Sequence, residues 1–220
     1  MQPNFQLRTL AILAGAGAGD RLGADAPKAF IRCAGRELWR WSADVLLRTC
    51  DRVVFAVPPE WIEDEDPGIE RVAGGAARSE SVRNALAVVP DADVVVIHDA
   101  ARPFVTDELV RECIAAVEAG ADGAVAAARV TDTVKEADAD GRVVRTLDRS
   151  RLWSIQTPQA FRGDVLRKAL ESASESVASA TDDASLVESL GGQVRIVEAS
   201  QSNFKITYPE DLARAEALLC

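Results

Sequence analysis

The chain has 220 residues, 48% hydrophobic and 27% charged, a make-up that excludes a disordered, collagen-like or disulfide-stapled protein. Lys and Arg number 25 against 35 Asp and Glu, so the net charge is −10 and the far field repels nucleic acid and anionic membrane. Any phosphate site must be local, built from a few cations and backbone N–H groups.

In chain order, the N-terminal apolar run is only about six residues, too short for a leader or a membrane span. Cys33, Cys50, Cys113 and Cys220 lie far apart, which points to free thiols in a reducing cytoplasm. Leu10–Leu13 opens a series of short, largely apolar runs, continued by Val53–Val57, Val94–Ile97, Gly123–Ala128 and Val194–Val197, with Ile69–Val72 as another short strand. Such runs suit strands covered on both faces, as in a parallel sheet. Helix signals fall between them. Leu38–Thr49 is amphipathic, and Ser81–Val89 follows a Gly74-Gly75 turn. Asp107–Ala119 follows Thr106, carries two acids in its first turn and stops at Gly120. Thr181 or Asp182 can cap a helix running to Leu190, and Pro209 opens a last one. The alternation predicts an α/β fold with a mostly parallel, doubly wound sheet, as one domain over 1–220. Residues 130–153 break the rhythm: two β-prone pieces flank Asp140-Gly141 with little apolar surface. They read as a hairpin arm that needs a partner surface, which a second subunit would supply.

The first strand runs into Ala14-Gly15-Ala16-Gly17-Ala18-Gly19-Asp20-Arg21. Glycines at 15, 17 and 19 let successive N–H groups turn inward as a nest for phosphate oxygens. The spacing fits neither the dinucleotide fingerprint nor the Walker loop. Arg21 and Lys28 can offset polyphosphate charge, and Pro27 restrains the backbone beside Lys28. Alone, the segment reads equally well as a glycine turn with two solvated cations. Val94–Ile97 is followed by His98-Asp99-Ala100-Ala101-Arg102. Ligands bind beyond the carboxyl ends of parallel strands, so Asp99 is a candidate magnesium ligand and Arg102 a phosphate contact. A cap is the plain alternative for Asp99. His98 is the single histidine, which excludes a multi-histidine metal site, and a structural role is expected for it. Gly75 and Ser81 can read a base edge or merely turn the chain and start a helix.

AGAGAGDRLG-x-x-x-PK, GGAARSESV, HDAARPFV, VTDTVK, DR-x-x-LW-x-x-QTPQ-x-F, TDDASLVE and N-F-KIT-x-PEDL together resemble the 2-C-methyl-D-erythritol 4-phosphate cytidylyltransferase family over nearly the whole chain. The resemblance implies a Rossmann-like nucleotidyltransferase domain with a projecting arm (130–153) that builds a homodimer. It also implies Mg2+-dependent transfer from CTP to a methylerythritol phosphate acceptor, with pyrophosphate released. Ala14 to Gly19 would wrap the nucleotide phosphates and ribose; Arg21, Lys28 and Lys205 would carry the catalytic positive charge. Gly75 and Ser81 resemble the cytosine-reading positions, and Asp99 the metal ligand. Ala100, Arg102 and Lys205 resemble contacts to the alditol phosphate; Thr133 and Arg149 resemble arm residues that reach it from the other subunit. Thr157 and Gln159 fall on the rim. Three positions depart from the family pattern: Gly15 replaces a more usual Ala, Glu37 a usual Pro, and Asp20 puts a negative charge into the loop. The close rival is a ribitol 5-phosphate cytidylyltransferase. An NAD(P)-dependent oxidoreductase fails on glycine spacing, and a silent nucleotide binder sits poorly with intact Arg21, Lys28 and Asp99.

Overall fold

The computed structural model describes residues 8–17, 26–63, 65–172 and 182–219. Each apolar run becomes a strand: β1 (Thr9–Ala14), β4 (Arg52–Val57), β5 (Ile69–Ala73), β6 (Val94–Asp99), β7 (Gly123–Arg129) and β11 (Val194–Glu198). Alternate residues of each strand cover opposite faces. Ala11, Leu13, Phe55 and Val96 pack under α1 (Leu38–Thr49) and α3 (Asp107–Glu118). Leu10, Ile12, Val54 and Val95 pack under α2 (Arg78–Val88), α4 (Gly163–Glu171) and α5 (Asp183–Ser189). Burial on both faces is why the runs are continuous rather than alternating. Thr106 caps α3 as expected, its hydroxyl accepting from the Leu109 amide at 3.2 Å. The last helix, α6 (Pro209–Leu219), packs on the small hairpin of β2 (Arg32–Cys33) and β3 (Arg36–Glu37).

A further strand, β10 (Trp153–Arg162), completes a seven-stranded sheet of order β11-β7-β10-β6-β1-β4-β5. It is the antiparallel member, wedged between β7 and β6. Sequence reasoning places no strand there and ends the arm at Trp153. The run carries Pro158, which argues against a central strand. The structure accommodates it with a register shift between Ile155 and Gln159 that leaves Gln156, Thr157 and Pro158 out of the ladder with β7. The arm is present as β8 (Lys135–Ala137) and β9 (Val143–Thr146), antiparallel around Gly141 at φ +78°. It stands off the main sheet with Val143 and Val144 about three-fifths exposed.

Candidate active site

β1 and β6 are adjacent and parallel, and their ladder pairs Ala14 with Asp99. The Ala100 amide bonds the Ala14 carbonyl at 3.0 Å, and the Gly74 amide bonds the Val57 carbonyl at 2.7 Å. The segments after β1, β5 and β6 thus converge at the carboxyl edge of the sheet, where open α/β sheets take ligands. They enclose a cavity of about 480 Å3. Its walls include Ala14, Gly15, Ala16 and Gly17 on one side and Gly75, Arg78 and Ser81 on another, with Lys28, Asp99, Ala100 and Lys205 completing it. The structure therefore brings together most of the positions expected from the sequence. Ala18, Gly19, Asp20 and Arg21 lie outside the described residues.

Local chemistry fixes each wall. Gly74 passes so close to the Ala16 side chain that a Cβ would overlap it, which holds the two loops together. The Ser81 hydroxyl accepts from the Gly75 amide at 3.0 Å and donates to the Ala77 carbonyl at 3.2 Å. Ser81 thus shapes the Gly75 turn as well as lining the cavity. Glu80 reaches back to the Ala76 amide at 2.8 Å and stabilises the start of α2. Lys28 opens a single 3-10 turn whose Phe30 is buried against Phe55 and Trp61.

Asp99 is the electrostatic centre. Its carboxylate pairs with Arg78, with Lys205 Nζ at 2.8 Å and, more distantly, with Arg102 Nε at 3.8 Å. Burial alone would raise its pKa, but Arg78 and Lys205 outweigh burial and hold it well below the usual carboxylate range. It is ionised at any working pH. Behind it, the Asp99 amide donates to Thr157 Oγ1 at 3.0 Å. Thr157 lies 3.1 Å from His98 Nδ1, and His98 Nε2 lies 3.2 Å from the Arg102 carbonyl. A carbonyl can only accept, so Nε2 carries the proton and Nδ1 accepts from the threonine hydroxyl. Burial pushes the imidazole down to about 4. His98 is a structural strut, as expected.

The bulge residues missed as a strand extend this strut. Asn203 donates to Gln156 Oε1 at 2.8 Å and to the Thr157 carbonyl at 2.9 Å. Arg102 Nη1 donates to the Asn203 carbonyl at 2.8 Å, while its buried Nε has no hydrogen-bond partner. Arg102 and Lys205 also line a second cavity of about 470 Å3, with Thr131, Gln156 and Phe204. Thr133 and Arg149 are exposed at the arm and line neither of these two cavities; Arg149 Nη1 donates to the Thr131 carbonyl at 2.6 Å. Arg78 and Asp183, 2.9 Å apart, are site residues to which sequence reasoning gives no role.

The profile of the 2-C-methyl-D-erythritol 4-phosphate cytidylyltransferase family matches residues 9–220. The chain belongs to that family. A cytidylyltransferase of this name from Frankia casuarinae is 45% identical over 96% of this chain and 81% of its own. One from Saccharopolyspora erythraea is 44% identical over 97% of this chain and the whole of its own. The crystal structure of the family's Thermus thermophilus member superposes with a TM-score of 0.81 at 35% identity, covering 94% of this chain and 97% of that one.

Among the described residues no group of three or more His, Cys, Asp or Glu could hold a metal by itself. Mg2+ does not require one, since it binds through one or two carboxylates and fills its shell with phosphate oxygens and water. An ionised carboxylate in the wall of the cavity, Asp99, fits that mode. No helix of the described residues is long and apolar enough to cross a membrane.

Proposed function

We infer that this chain catalyses cytidylyl transfer from CTP to 2-C-methyl-D-erythritol 4-phosphate, releasing pyrophosphate. The observation that carries the reading is the local excess of positive charge, Lys28, Arg78, Arg102 and Lys205 against the carboxyl groups of Asp99 and Asp183, at the sheet edge of a chain with net charge −10. Such a site is built for anions meeting anions. The acceptor is a phosphate monoester, already mostly dianionic at neutral pH. One of its oxygens bonds to the α-phosphorus as the bond to the bridging oxygen breaks, and pyrophosphate departs with that electron pair. No proton has to be removed, which suits a site whose one histidine is neutral with both ring nitrogens occupied.

Catalysis then comes from alignment and from fixed positive charge. Lys28 and, from the family pattern, Arg21 stabilise charge on the α-phosphate. Gly15, Ala16 and Gly17 offer backbone groups to the nucleotide, and Gly75 with Ser81 forms the wall for the base. Asp99 would hold Mg2+, which when bound neutralises triphosphate charge. Lys205 lines both cavities and Arg102, whose Nε has no hydrogen-bond partner, lines the second; together they would grip the acceptor phosphate. The exposed arm, with Val143 and Val144 uncovered, suits a homodimer in which Thr133 and Arg149 reach the partner's acceptor site. A cytoplasmic location fits free thiols at Cys33, Cys50 and Cys113.

Pyrophosphate release tests the reading directly, with CTP and the other three nucleoside triphosphates against methylerythritol and ribitol phosphates. CTP with the methylerythritol acceptor should be the productive pair; preference for ribitol 5-phosphate would overturn the acceptor. Lys28→Ala and Arg21→Ala should each lower turnover about 10²-fold, the scale of one lost transition-state charge contact. Near-normal turnover in both would overturn their roles.

A further inference from the structure

Arg78 bridges two carboxylates. One of its Nη atoms pairs with Asp99, and its Nε donates to Asp183 Oδ2 at 2.9 Å. Asp183 is 1% exposed and stands in the first turn of α5. That turn is fixed in place. Asp182 caps it by accepting from the Ser185 amide at 3.0 Å, and its other oxygen takes the Gln159 amide at 3.2 Å. The TDDAS and QTPQ motifs are thereby joined at one point, directly behind Arg78.

Three cations share Asp99, and a divalent ion placed on the same carboxylate would meet them at short range. Like charges at hydrogen-bonding range repel strongly even near a protein surface, and a double charge increases that. One cation must give way. Arg102 is pinned by the Asn203 carbonyl and its side chain is only 11% exposed. Lys205 lines both cavities and is the residue that the proposed function gives to the acceptor phosphate. Of the three, Arg78 has a second buried carboxylate within hydrogen-bonding distance.

We propose that Asp183 is a positioning residue that receives Arg78 when Mg2+ takes Asp99, so that metal replaces arginine on the carboxylate without expelling the arginine from the site. The proposal rests on the reading of Asp99 as the metal-holding residue. It assigns Asp183 no contact with substrate. Its effect is on the coupling between metal and nucleotide, because without Asp183 the guanidinium commits fully to Asp99.

The test is calorimetric titration of CTP into the protein with Mg2+ and again with EDTA. The ratio of the two Kd values measures metal coupling. In Asp183→Asn, the ratio should shrink about tenfold or more, the scale of one charge-assisted hydrogen bond, with the EDTA Kd little changed. Adding Arg78→Gln to Asp183→Asn removes the competitor together with its seat and should restore the coupling. A purely structural role for Asp183 would move both Kd values alike and would not be rescued by loss of Arg78. Should Asp183→Asn fail to fold, the double variant decides: coupling weaker than wild type overturns the proposal. Asp99→Asn separates the two readings. Full coupling in that variant would sink the metal assignment and this inference with it. Lost coupling there, beside wild-type coupling in Asp183→Asn, would sink the inference alone.

Discussion

A single histidine, buried and neutral, gives this protein a titration that can be isolated. Thr157 Oγ1 accepts the Asp99 amide and donates to His98 Nδ1, while His98 Nε2 donates to the Arg102 carbonyl. Protonating Nδ1 would set two donors against each other and place a charge where His98 has no exposed surface. Burial, only partly opposed by the nearby Asp99, accordingly holds the imidazole at about 4. An unfolded imidazole titrates near pH 6.5, so the unfolded chain binds more protons across that interval. This contribution is complete above about pH 6.5 and is lost as pH falls toward about 4. Between about pH 7 and about pH 5 it amounts to about 2 kcal/mol. Asp183, raised by burial, acts with the opposite sign, and Asp99, held low, does not titrate in this window. Urea unfolding of the wild type and of His98→Gln at the two pH values removes those other contributions by difference. The wild type should lose about 2 kcal/mol more than the variant. Equal losses, or an imidazole NMR signal titrating near 6.5, would refute the assigned hydrogen-bond directions.

Two further outcomes follow from packing and from the arm. Gly15→Ala places a Cβ into the Phe55 ring, 2.9 Å from its Cζ and 3.1 Å from Ala29 Cβ. It should lower stability by about 1–3 kcal/mol, with Phe55→Leu restoring part of the loss in thermal unfolding; a neutral Gly15→Ala would show that the ring moves freely. Subunits carrying Arg149→Ala, mixed with subunits carrying Lys28→Ala, should regain activity from one competent site per heterodimer; a verified heterodimer with no activity would count against action across the interface.

The parts of the fold that could be read from sequence are those in which one physical demand dominates. Strands such as Val94–Ile97 are apolar throughout because helices cover both of their faces. Thr106 is visible as a cap, and Asp182 as one of two candidates beside Thr181, because capping is local. β10 was hidden because it answers two demands at once. Ala160 and Phe161 pack into the two cores, while Gln156, Thr157 and Gln159, buried and polar, bind the groups that orient Asp99, Arg102 and α5. Local rules fail where a segment serves the site. Arg78 was hidden for another reason. It lies inside the GGAARSESV motif, but the carboxylates that define its role, Asp99 and Asp183, lie 21 and 105 residues away.

Two of the departures from the family pattern, Gly15 and Glu37, meet in the packing that carries Lys28. The Phe55 ring occupies the space beside Gly15 that a side chain would need. It contacts Trp39 at 4.9 Å and Phe30 at 5.8 Å between centroids, and Phe30 stacks on Trp61 at 4.0 Å. The Arg71 guanidinium lies 5.5 to 5.8 Å from Phe30, Trp39 and Phe55, and donates to Asp66 at 2.6 Å and to the Trp61 carbonyl at 2.7 Å. Asp66 also pairs with Arg40 at 3.0 Å, and Arg40 with Glu37 at 2.8 Å. The same Glu37 oxygen takes the Trp39 indole N–H at 3.1 Å. Two acids thus balance two arginines around an aromatic cluster. Of these pairs Arg71–Asp66 is buried; such a pair adds little net stability, but it fixes orientation. What it orients here is Phe30, two residues from Lys28 in the same turn. The departures therefore bear on the support beneath Lys28 and leave Arg102 and Lys205 paired with Asp99 at the sheet edge.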